Sequence, residues 1–130
     1  MLLDASVFLA FLTNEPGTEA VRAALLRSRC AVSSVTLTEV EGKLVGRGEF
    51  TPRQVGQQYT KLLSVVRELP FDAACRDRAA FYYARKSPYD LSLGDACCLG
   101  TAEALGLDVL TAERGWAKIP DLPFKVELIR

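Results

Sequence analysis

A chain of 130 residues with 49% hydrophobic and 25% charged side chains has the length and composition of one ordinary globular domain, residues 1–130, and a second full domain is not expected in it. Sixteen Lys+Arg balance sixteen Asp+Glu, which excludes the broad positive field of a generic nucleic-acid binder and confines any nucleic-acid contact to a local patch. The chain has no histidine, and Cys30, Cys75, Cys97 and Cys98 have no CxxC spacing, so zinc sites, Ser-His and Cys-His hydrolases and histidine general bases are excluded and the chemistry must rest on carboxylates.

In chain order, residues 1–4 predict a brief strand and residues 5–13 a short helix, with Val7, Phe8, Ala10 and Phe11 apolar and Pro16 beyond its end. The apolar stretch from Ala5 to Leu12 is too short to span a bilayer, and no basic segment precedes it, so a cytoplasmic protein without membrane contact is expected. Residues 18–29 predict a second helix and residues 30–34 a second strand. From Thr36, the apolar Leu37, Val40 and Leu44 recur at helical spacing until Gly46 and Gly48. Thr51 and Pro52 open a further helix as cap and first position, leading through Val55, Tyr59, Leu62 and Val66. A strand follows at residues 66–69, then a helix capped by Asp72 and ending near Arg85. Ser92 opens a last helix that ends at Gly106, with strands at residues 107–110 and 124–129. The cysteines are expected to be buried, reduced core residues.

Strands separated by helices predict an α/β fold, a three-layer α/β/α sandwich around a mostly parallel sheet, because parallel neighbours need crossover connections. Sites in such sheets gather at the carboxyl ends of the strands. Asp4 ends the first strand, Glu39 is expected in the first turn of the helix after the second, and Asp95 lies in the first turn of the Ser92 helix, over the same edge. Glu113 follows the next strand by three residues. Each acid also has a purely structural reading: Asp4 as a helix cap, Thr36-x-x-Glu39 and Ser92-x-x-Asp95 as capping boxes, Glu113 as a solvated loop acid. Together, four such acids at one edge point to chemistry. The Ser92 helix is apolar nearly all round, and a carboxylate beside it needs a partner, since an unpaired buried ion costs several kcal/mol. A hard divalent cation, Mg²⁺ or Mn²⁺, meets that need with oxygen ligands, and one or two such ions would activate a water for in-line attack on a phosphodiester.

The segments Leu3-Asp4-Ala5-Ser6-Val7, Ser34-Val35-Thr36-Leu37-Thr38-Glu39-Val40, Leu91-Ser92-Leu93-Gly94-Asp95-Ala96 and Leu110-Thr111-Ala112-Glu113-Arg114-Gly115-Trp116 resemble the motif blocks of PIN domains, most of all those of VapC-type toxins, over the whole chain. The resemblance implies a Mg²⁺- or Mn²⁺-dependent endoribonuclease, usually a homodimer, held inactive by a VapB-like antitoxin whose tail enters the acidic site. It implies Asp4, Glu39 and Asp95 as the main metal ligands, and it matches Ser6 and Thr111 to hydroxyl positions that support the metal or its waters, with local turn formation as an equal alternative for each. The family more often has Asp where this chain has Glu113.

Arg76, Arg78, Arg85 and Lys86, interleaved with Tyr82, Tyr83 and Tyr89, offer a surface for single-stranded or loop RNA, against the alternative of a solvated helix face whose tyrosines pack inward. Arg114 is the better RNA contact because sequence ties it to the acidic edge. Two other functions stay open: a housekeeping RNA-processing nuclease with the same site, and a receiver-like signalling module holding Mg²⁺ in an acidic pocket.

Overall fold

The computed structural model describes residues 1–130 and orders them as β1 (Leu2–Leu3), α1 (Ala5–Leu12), α2 (Thr18–Arg27), β2 (Cys30–Ser33), α3 (Ser34–Gly46), α4 (Pro52–Leu62), β3 (Val66–Leu69), α5 (Ala73–Ala84), α6 (Leu93–Leu105), β4 (Val109–Thr111), a 3-10 helix (Arg114–Lys118) and β5 (Val126–Leu128). All four strand pairings are parallel, and the sheet order is β3-β2-β1-β4-β5. The expected α/β fold is therefore present.

Successive strand residues point to opposite faces, and both faces are apolar because both are covered by helices. Leu3, Val32, Val66 and Leu110 join α1, α2, α3 and α4 through Val7, Phe8, Val21, Leu37, Val40 and Val55. Leu2 and Val109 join α5, α6 and the 3-10 helix through Tyr82, Ala96, Cys98, Leu99 and Trp116 on the other face. Chain order explains the site. β1 leaves the sheet toward the first face, through α1, whereas β4 leaves toward the second, through the 3-10 helix. Such a reversal opens a crevice between the two strands at their carboxyl ends.

Most boundaries agree with the sequence reading, and the caps explain the exceptions. α3 begins at Ser34, two residues earlier than expected, because the Ser33 hydroxyl accepts from Val35 N and caps it. Glu39 therefore lies in the second turn of α3, and the Thr36–Glu39 capping box does not form. β4 begins at Val109, later than residue 107, because Leu107 N still bonds to Ala102 O, closing α6 around Gly106 at φ +66°. All four cysteines are free and buried, as expected. α6 is buried from Ala96 to Ala102, but Leu93 at its start is 60% exposed, so its first turn is not enclosed. No helix is long and apolar enough to cross a membrane.

Candidate active site

Asp4 sits at the mouth of the crevice, where β1 gives way to α1, and is only 4% exposed. Three donors converge on its Oδ2: Ser6 Oγ at 2.7 Å, Thr111 Oγ1 at 2.9 Å and Ser6 N at 3.3 Å. The last is the N-cap bond of α1, so the cap reading of Asp4 is correct. The hydroxyls are themselves tied to the loop after β4, since Ala112 N donates to Ser6 Oγ at 2.9 Å and Glu113 N to Thr111 Oγ1 at 3.0 Å. One network thus stitches β1 to β4 across the crevice and fixes one oxygen of Asp4. Oδ1 receives none of these bonds. No fully buried side-chain oxygen lacks a partner, so Oδ1 keeps a small contact with solvent.

Asp95 is the third residue of α6 and forms the expected capping box: Ser92 Oγ accepts from Asp95 N at 3.1 Å, and Asp95 Oδ2 accepts from Ser92 N at 3.0 Å. Again one oxygen is engaged and one is free. Glu39 projects from α3 toward α6. Its Oε2 accepts from Lys43 Nζ at 3.3 Å, one helical turn away, and its Oε1 lies against the Cα of Gly94. Glu113 is exposed, and its carboxylate makes no hydrogen bond or ion pair within the chain.

Electrostatics couple Asp4, Asp95 and Glu113. Burial pushes the Asp4 carboxyl above its usual value, against the opposing hydrogen bonds of Ser6 and Thr111. Desolvation, then Asp4's charge, raises Asp95, while the Ser92 amide and Lys43 oppose the rise. Glu113 is raised by desolvation, then by Asp95 and Asp4, while Lys43 and Arg130 oppose the rise. Beneath them Cys98, wholly buried, is pushed well above the ordinary thiol range by burial and by Asp4, Asp95 and Glu39. Asp4, Asp95 and Glu113 thus repel one another, with Lys43 and Arg130 as the opposing cations. They do not close on a common point as a ready-made cage.

The donor set nevertheless suits a hard divalent ion. Every free ligand is a carboxylate oxygen, Cys98 is held as a neutral thiol, and the mutual repulsion is what a cation would relieve. Asp4, Asp95, Glu39 and Glu113 are the residues that would hold it.

Other predicted residues fall differently. Tyr82 is buried, Arg78 is bound to Glu103 at 2.8 Å, and Arg78 and Arg85 lie over the Phe81 ring at 4.4 and 3.7 Å from its centre. The α5 cluster is thus largely satisfied within the chain, close to the inward-packing alternative. Arg114 opens the 3-10 helix beside Glu113, exposed, with Nε donating to Arg130 O at 3.3 Å. Lys43 and Gly94 were not singled out in the sequence. The i,i+4 spacing from Glu39 was the available signal for the first, and a glycine in the first turn of a helix for the second.

A sequence model of the family described as PIN domain matches residues 1–122. No curated protein sequence matches the chain. Among solved structures, DNA-bound VapBC from Salmonella typhimurium is similar at a TM-score of 0.75 and 23% identity, covering 99% of this chain and 97% of that one. VapBC-5 of Mycobacterium tuberculosis, a toxin-antitoxin system, gives 0.62 and 26%, covering 99% and 96%. VapC20 of the same organism, described as a sarcin-ricin loop cleaving toxin, gives 0.70 and 17%, covering 90% and 93%.

Proposed function

We propose a function on the premise that the chain belongs to the PIN domain family: it is a Mg²⁺- or Mn²⁺-dependent endoribonuclease, acting as the toxin of a VapBC-type pair. The observation that carries this reading is the pinning of Asp4 by Ser6 and Thr111 through one oxygen, with the other left without such a bond, beside the electrostatically coupled Asp95 and Glu113.

When bound, the ion lowers the pKa of the attacking water and neutralises charge on the scissile phosphate. The chain's own residues supply the rest. Ser6 and Thr111 stop the Asp4 carboxylate from rotating, so Oδ1 meets the ion in one orientation. Asp95, fixed by Ser92, and Glu39, leaning on Gly94, present their free oxygens from the two helices that flank the crevice. Glu113 and Arg114 border it from the loop, where Arg114 meets the phosphates of a single-stranded or looped RNA. A VapB-like antitoxin is part of the reading, supported by similar structures described as VapBC pairs; a homodimeric assembly and a cytoplasmic location are proposed with it on the family resemblance alone. Family membership leaves the receiver-like alternative without support.

Incubated with a structured RNA and Mn²⁺, the wild type is expected to give discrete products, and Asp95→Asn none. Equal cutting by both proteins refutes the assignment, as does the absence of any cutting combined with a melting temperature indifferent to Mn²⁺.

A further inference from the structure

Gly94 lies second in α6, a position where glycine is the poorer helix former and no special backbone angle calls for it. Its space is already taken. A Cβ at position 94 would stand 3.0 Å from Glu39 Cδ and closer still to Glu39 Oε1, whereas at Gly42, Gly46, Gly56 and Gly115 it would meet nothing. The bare Cα of Gly94 therefore forms one wall of the place where the Glu39 carboxylate rests, next in sequence to Asp95. Lys43 Nζ, 3.3 Å from Oε2, holds the other side.

We infer that Gly94 is a positioning residue for Glu39: the missing side chain lets a carboxylate from the second turn of α3 reach the first turn of α6, and so seats it beside Asp95. The inference rests on the proposed metal-dependent activity for its consequence, and on steric geometry alone for its cause. Glu39 reaches the crevice only because α3 and α6, which cover opposite faces of the sheet, converge over its carboxyl edge. A methyl group at 94 fills that seat. The obstructing atom is the far end of a flexible side chain, so the substitution turns Glu39 away and leaves the helices in place.

Four proteins test this: wild type, Gly94→Ala, Glu39→Ala and the double variant, each titrated with Mn²⁺ by calorimetry and melted metal-free. Gly94→Ala should bind Mn²⁺ about tenfold or more weakly, the usual scale for disturbing a residue that orients a ligand. The double variant should bind no more weakly than Glu39→Ala, because Gly94 acts only through Glu39. Without metal, Gly94→Ala should raise the melting temperature more in the Glu39→Ala background, where its Cβ has room, than in the wild type. Wild-type affinity in Gly94→Ala overturns the inference, as does a double variant weaker than Glu39→Ala by the factor Gly94→Ala shows alone. If the wild type takes up no Mn²⁺, the nuclease reading falls, and the melting comparison alone decides: equal shifts in both backgrounds overturn the seat.

Discussion

Replacing Asp4 by Asn removes one charge while keeping the shape and the helix cap, since Asn caps as well as Asp. In the metal-free protein at neutral pH this should be stabilising. A carboxyl whose folded pKa lies above its unfolded value binds more protons when folded, so its contribution is fully present below the unfolded pKa and is lost as pH rises through the folded one. Asp4 is such a group, and its charge also raises Asp95 and Glu113. With Mn²⁺ the sign reverses. A ligand at a hundred times its Kd stabilises the folded state by about 2.7 kcal/mol. At about 2.1 cal/mol/K of unfolding entropy per residue, 130 residues give about 0.27 kcal/mol/K, so the wild type should gain roughly 10 °C. Asp4→Asn should start higher than wild type in EDTA and lose most of that gain, a pair of shifts read in one thermal scan series. A variant that melts lower than wild type in EDTA yet keeps the whole Mn²⁺ shift would show that Asp4 is a cap and nothing more.

Thr111→Val keeps the branched shape in β4 but deletes the hydroxyl that donates to Asp4 Oδ2 and accepts from Glu113 N; a hydrogen bond to a charged group contributes about 1.5–3 kcal/mol, so the melting temperature should drop by roughly 5–11 °C and the Mn²⁺ response should weaken. Gly100→Ala drives a Cβ to 2.5 Å from Ala79 Cα and 2.9 Å from its Cβ, where about 3.5–4 Å is needed; forcing α5 from α6 should cost about 1–3 kcal/mol, more than the gain of at most about 1 kcal/mol in helix propensity, and a net rise in urea midpoint would refute the close packing. Metal-free wild type should lose stability as pH rises above the ordinary carboxylate values of 3.8 and 4.5, through the higher ones of Asp4, Asp95 and Glu113, whereas the Mn²⁺-induced shift should grow over the same window; a shift constant from about pH 5 to about pH 7 would detach these acids from the ion.

Order and type of every element except the 3-10 helix Arg114–Lys118 were legible because each announces itself locally. Thr51-Pro52 begins α4, Asp72 begins α5, Ser92 begins α6, and alternating strands and helices leave a parallel sheet as the economical arrangement. The edge carrying the acids followed from that topology. What stayed hidden depends on contacts between residues distant in sequence. The pairing of Ser6 and Thr111 on a single oxygen spans more than a hundred residues, and so does their tie to the loop after β4. Glu39 lies in the second turn of α3 and not the first, because Ser33, Ser34 and Thr36 all have capping side chains and only the backbone shows that Ser33 caps. Basic residues around α5 suggested a nucleic-acid surface, but Glu103, twenty-five residues from Arg78, claims one of them.

At Asp4 and Asp95 a capping role does not exclude the proposed ligand role. A carboxylate has two oxygens, each with two acceptor positions, and a helix N-terminus uses one. At Asp4 and at Asp95 the cap takes Oδ2 and leaves Oδ1. The cap supplies what a ligand needs, a fixed torsion, while the helix N-terminus supplies a partial positive charge that helps hold the carboxylate ionised despite its burial. Glu39 lacks a capping bond, and a cation and a glycine hold it instead. Glu113 has neither kind of restraint and is the most exposed of the four. A gradient follows: the two capped acids should tolerate least change in side-chain length, Glu39 should fail as readily through Gly94 as through itself, and Glu113→Asp, free to reposition, should alter Mn²⁺ affinity least. If Glu113→Asp instead weakens Mn²⁺ as much as Asp4→Glu, restraint by the fold is not what makes these carboxylates a site.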